Sequence, residues 1–200
     1  MKKIISLVLI LFTVNSFSQK NADYVSFVQQ IKKDAKIDTK DQTVLNLLND
    51  FYEQILQSET GELQASMSER IQKLYADKDA KNLHILNLFL AYQEHISQTA
   101  VNGKVPDATF QNNLLDDLQT ELQSTFGVVP VIIKIYKVEA LQSAGKFGES
   151  SALLAKSLQE FPKSVPLKVY SYLDTRNESL KKELISQHAS HWMVQQFQIK

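Results

Sequence analysis

Apolar residues along the chain recur mostly at three- and four-residue intervals, the period of a helix buried on one side. Val44, Leu45, Leu47, Leu48, Phe51, Tyr52, Ile55 and Leu56 form a broad apolar face, and Thr39 with Gln42 offers a capping box before it. Leu63, Met67, Ile71 and Leu74 mark a narrower stripe. The next segment, with Asp79 as its expected N-cap, is apolar nearly all round at Leu83, Ile85, Leu86, Leu88, Phe89 and Leu90, as a central helix would be. Phe110, Leu114, Leu118 and Leu122 then repeat every fourth residue, between Asp107 as a cap and Gly127 as a stop. Val128–Val138 is different, being rich in β-branched residues that favour strands. No second convincing strand offers it a partner, and Pro130 suits a first helical position, so a helix is expected.

These segments pair across short breaks: 41–58 with 60–77, 80–100 with 107–125, 130–144 with 147–161, and 166–175 with 177–197. A shorter helix at Ala22–Lys33 precedes them. Hairpins that each leave an apolar face open must stack to cover it. The expected fold is therefore all-α, an array of αα-hairpins forming a helical solenoid or a compact helical bundle.

Composition adds a compartment. Lys2 and Lys3, the apolar run Ile4–Val14, and Ser16 and Ser18 are laid out as a secretory signal peptide, with cleavage expected after residue 18. The run is shorter than the roughly 20 residues a bilayer span needs. Residues 19–200 would then be a single exported domain, periplasmic or extracellular. The chain has 22 basic and 22 acidic residues, and losing Lys2 and Lys3 leaves a slight acidic excess. No basic stripe suits nucleic acid, and no later apolar run approaches a membrane span. There is no cysteine, which excludes disulfides, thiol nucleophiles and cysteine-ligated metals.

Candidate chemistry is sparse. His188 and His191 stand three apart and could share a helix face as metal ligands do, but no third ligand stands at a recognisable spacing. His95 follows Glu94 at the polar end of the central helix, and His84 lies in its apolar stretch, as a core histidine would. Asp116, Asp117 and Glu121 fit the solvated side of an amphipathic helix. No nucleophile elbow, phosphate-binding loop or dinucleotide fingerprint occurs, and no cofactor is implied. Trp192, Met193 and Phe197 make a heavy apolar end, expected to seal the array.

One stretch, Ala144–Pro162, carries a family likeness. Gly145 stands at a turn, Phe147 is the aromatic two residues on, Ser150 and Ser157 are small, Leu154 is large, and Pro162 closes the run. This resembles the second half of a tetratricopeptide repeat. The first half departs from that pattern, with Lys134 and Lys137 at large positions and Val138 at a small one. A step of about 34 residues brings Ser179 to the turn and His188 to the apolar site, so no second full copy appears. The resemblance implies a tetratricopeptide-like helical array and protein–protein binding.

The leading expectation is an exported, non-catalytic interaction or scaffolding module whose partner is another envelope or secreted protein. Tyr136, Lys137 and Tyr170, on inner helices, are its candidate contact residues. One alternative is a small envelope hydrolase or metal-dependent enzyme using His188, His191 and His95. Another is a structural accessory subunit of an envelope complex.

Overall fold

The computed structural model describes residues 20–200, so the expected signal peptide, residues 1–18, lies outside the described residues. Every regular element in it is helical: α1 (Lys20–Lys32), α2 (Thr43–Phe51), a π-helical turn (Tyr52–Gln57), α3 (Ala65–Ala76), α4 (Leu83–Val101) and α5 (Ala108–Phe126). They are followed by α6 (Val131–Ser143), α7 (Phe147–Glu160), α8 (Val165–Thr175), α9 (Glu178–Gln187) and α10 (Trp192–Gln196). The fold is all-α.

From α4 to α9 each helix packs against the next through a short connection, which makes successive helices antiparallel. Local chemistry sets the boundaries. Asp107 caps α5 by accepting from the amides of Thr109 and Phe110, at 3.0 and 3.1 Å. Gly127 ends α5 in the left-handed conformation, φ +70°. Ser164 and Asn177 cap α8 and α9 in the same way as Asp107 caps α5. Pro130 stands one place earlier than expected, as the residue before α6, with extended ψ.

The β-branched segment is helical from Val131. Val131, Ile132, Ile133, Ile135 and Val138 are all buried, because α6 has neighbours on several sides: α2, the π turn, α5 and α7. Packing on all sides outweighs an intrinsic strand preference worth at most about 1 kcal/mol across its scale.

α2 and the π turn lie across the inner row formed by α4, α6 and α8. α2 touches α4 and α6, and the π turn touches α6 and α8. Phe51 meets Phe89 of α4 with ring centroids 5.1 Å apart, and Phe89, Tyr92 and Tyr136 continue as a stack into α6. The π geometry delivers one side chain to a particular place. Gln57 Oε1 accepts from the Tyr52 hydroxyl at 2.6 Å and from the Val165 amide at 3.0 Å, the first N–H of α8. An orphan donor at a helix start is thereby satisfied from a segment more than a hundred residues away.

Four boundaries differ from expectation. Asp79 does not cap α4; it pairs with Lys36, while Asn82 precedes the helix at φ +59°. The Asn82 side chain is fully buried because it bonds the incoming loop, donating to the carbonyls of Asp38 and Asp41 and accepting from the Asp38 amide. The Thr39–Gln42 box is likewise not formed: Asp41 accepts from the Thr43 amide, and Gln42 reaches the Thr39 carbonyl. The segment 60–77 begins its helix only at Ala65, after a loop that turns at Gly61. The segment 177–197 is two helices, broken where His188–His191 turns to meet the π segment.

Trp192 is half-buried and bridges the main core and a smaller C-terminal cluster of Val165, Val169, Leu184, Met193, Val194 and Ile199. The C-terminal helix thus seals the array, as its apolar end suggested. Gly61, at φ +67°, faces the Trp192 indole so closely that a Cβ would lie 2.9 Å from Nε1.

Three substitutions separate these layers of the argument. Phe89→Ala, in the stack under α2, should cost about 3–5 kcal/mol of unfolding free energy. Gly61→Ala, strained in φ and in space, should cost about 1–3 kcal/mol. Phe147→Ala, at an exposed turn, should stay within about 0.5 kcal/mol. Urea unfolding of the three variants checks the order.

Candidate functional site

The residues expected to meet a partner lie in the interior. Tyr136 is only 8% exposed; its ring stacks on Tyr92 at 5.0 Å, and its hydroxyl accepts from Gln93 Nε2 at 2.7 Å. Tyr170 donates to Glu139 Oε1 and packs at the junction of the two apolar clusters. Lys137 turns to α5, where its ammonium meets Asp116 at 2.6 Å and the Asn112 carbonyl at 3.2 Å. Tyr136 is therefore corrected from a contact residue to a core one, and Lys137 and Tyr170, half-buried, are taken up by neighbouring helices. The physical reason is that α2 and the π turn fill the groove that an open array would present.

That inner row holds a polar cluster the sequence reading missed. The half-buried Glu139 side chain lies among Tyr92, Tyr136 and Tyr170, and burial pushes it above the usual carboxylate range although the Tyr170 hydroxyl favours its charged form. Burial likewise raises the phenols of Tyr92, Tyr136 and Tyr170, so all three remain protonated donors. A signal was present: Glu139 stands three after Tyr136 and seven after Ile132, on the apolar face of α6.

In the repeat-like stretch, Gly145 turns at φ +73° and Ser150, Leu154 and Ser157 are buried on α7. Ser150 Oγ donates to the Val138 carbonyl at 3.3 Å, bringing α7 close to α6. Pro162 follows just after α7 ends. Phe147 is the exception, 66% exposed, because the first residue of α7 points off the turn rather than between the helices.

The histidines occupy separate places. His95 sits at the α4–α5 end, where Nε2 accepts from the Asp107 amide at 3.2 Å and its ring packs on Phe110. His191 is buried at the opposite join. Its Nδ1 accepts from the Met193 amide at 3.2 Å, capping α10, which leaves Nε2–H to donate to the Leu56 carbonyl at 3.0 Å. His188 is nearer Lys168 and Glu183. The three do not gather into one pocket, and among the described residues no group of three or more potential ligands could hold a metal. His84, in the middle of α4, is 1% exposed with Nε2 3.2 Å from Glu121 Oε2.

A cleft of about 430 Å³ opens between α1 and α5, lined by Tyr24, Val28, Lys32 and Asn113 with Asp116 and Asp117. Both carboxylates are engaged, Asp116 by Lys137 and Asp117 by the Tyr24 hydroxyl. Among the described residues no helix is long and apolar enough to cross a membrane. No family model, curated protein or solved structure matches the chain.

Burial holds His84, His188 and His191 below the ordinary histidine value of 6.5. The folded protein then binds fewer protons than the unfolded chain, so these groups lend stability above pH 6.5 that is lost as the pH falls through their folded values. His191 has a structural reason besides: a proton on Nδ1 would abolish the α10 cap. Urea unfolding should therefore weaken from pH 7.5 to 5.5, and His191→Gln should flatten that slope. Glu139 acts in the opposite sense, its raised value costing stability as the pH rises through it. Glu139→Gln, which keeps an acceptor for Tyr170, should raise the melting temperature at pH 7.5.

Proposed function

We propose that this chain is an exported, non-catalytic scaffold of the tetratricopeptide-like type, and that it binds another envelope or secreted protein through one end of its hairpin array. With the inner groove filled from within, the contact surface has to lie elsewhere. The observation that carries the reading is the exposure of large apolar side chains on two neighbouring turns. Val101 and Val105, at the α4–α5 turn, are 82% and 89% exposed, and Phe147, at the α6–α7 turn, is 66% exposed.

Because successive helices are antiparallel, these two turns stand at the same end of the array. Both have the order glycine, lysine, apolar residue: Gly103-Lys104-Val105 and Gly145-Lys146-Phe147. Both glycines are left-handed, at φ +60° and +73°, which fixes the turns without a Cβ penalty. The site is thus built for contact, with an apolar pocket on the partner taking Phe147 and the valines.

His95 and His191 are engaged in helix joins and caps, and this favours the scaffold over the hydrolase or metal-enzyme alternative. An accessory subunit of an envelope complex would use the same turn end, and differs only in how permanent the contact is.

The test is co-purification from the native envelope under gentle extraction. The wild-type chain should retain a specific partner at near-stoichiometric yield. The Val105→Ser/Phe147→Ser double variant should lose it, with melting temperature within a few degrees of wild type. Retention of the same partner by the double variant would move the contact off this end.

A further inference from the structure

We propose that α1 is an acid-released strap: the Glu121 carboxylate is shared between Lys32 of α1 and His84 of α4, and protonated His84 takes it over and frees α1 from the array. The geometry is a three-element junction. Glu121, on α5, places Oε2 3.2 Å from His84 Nε2 and pairs through Oε1 with the Lys32 ammonium. Glu121 and Lys32 are the charged groups that face His84. Neither ring nitrogen of His84 completes an aligned hydrogen bond among the described residues, so the ring is available to a stronger interaction with the carboxylate.

At neutral pH the junction holds one cation, one anion and a neutral imidazole, a balanced set in a low-dielectric site. A proton on His84 adds a second cation to a single carboxylate. His84 is 1% exposed, whereas the Lys32 side chain is 37% exposed and can turn outward. Charge repulsion therefore falls on Lys32, and the buried imidazolium keeps Glu121.

α1 is lightly held apart from this contact. Val28 is its one buried large apolar residue among those described, while Tyr24, Phe27 and Ile31 are half-buried and Val25 is exposed. Among the described residues, its other polar anchor is the Tyr24 hydroxyl on Asp117, beside the edge-on contact of Tyr24 with Phe110. Asp116 also faces Tyr24. After the Ala35–Lys32 turn bond the chain is held at residues 36–41, by Asn82 and by Lys36 on the Lys78 carbonyl and Asp79, so α1 can swing about residues 33–35 without disturbing α2. Release uncovers the α4–α5 face around His84 and Phe110.

Hydrogen–deuterium exchange of the purified chain at pH 7.5 and 5.5, corrected for intrinsic rates, tests the strap. Protection of α1 amides should fall at least about fivefold more than protection of α6 amides. Lys32→Met removes the rival cation and should abolish that difference, as should His84→Gln. If His84→Gln does not fold, Lys32→Met alone decides. Equal loss in α1 and α6 of the wild type, or an unchanged α1 response in Lys32→Met, overturns the proposal.

Discussion

The inner faces of α4, α6 and α8 carry more apolar surface than the three helices can cover for one another, and residues 43–57 cover the remainder. Val44, Leu47, Leu48, Phe51 and Leu56 are all buried in that contact. At roughly 1.5–3 kcal/mol for each large side chain withdrawn from water, this is a dominant favourable contribution to the fold. Other features follow from it. The π turn exists where this covering helix must reach α8, and Gln57 completes the α8 start. The C-terminal break forms where His191 finds the Leu56 carbonyl. The same contact removes the open groove that a stacked hairpin array would otherwise offer, and shifts attention to its turns.

Helices were legible wherever apolar residues repeat at helical spacing and a cap stands nearby. Asp107 and Gly127 bound α5 as their chemistry requires, and even the β-branched 131–138 segment was readable as helix for want of a strand partner. What was not legible depended on distant partners. Asp79 looks like a good local cap, but α4 starts after Asn82, whose side chain closes the loop at Asp38 and Asp41 instead of capping the helix. Nothing local to the 177–197 segment announces a break, since His191 caps α10 only when Leu56 takes its other nitrogen. Tyr136 and Tyr170 looked like groove residues because an inner position in an open array faces a ligand. In a closed one it faces the core.

The polar groups of the interior share a logic. Glu139, His84 and His191 each sit where two or more helices meet, and each is held by a partner on another element: Tyr170, Glu121 and Leu56 respectively. Such contacts add little net stability by themselves, since desolvation offsets most of the gain. They specify instead which helix stands beside which. An apolar row of leucines could slide by a turn, whereas a carboxylate matched to one hydroxyl cannot.

The bond from His191 to the Leu56 carbonyl spans 135 residues. A chain leaves the ribosome, or enters a new compartment, from its N-terminal end, so residues 43–57 arrive long before the surfaces that cover them. Their apolar face is covered in steps, by α4 first, then by α6, and at the π turn by α8. Most contacts join helices adjacent in sequence, so the hairpins can form locally, and the His191 join is among the last contacts to become available. The join between α10 and the π turn thus ties one of the last-made helices back to one of the first.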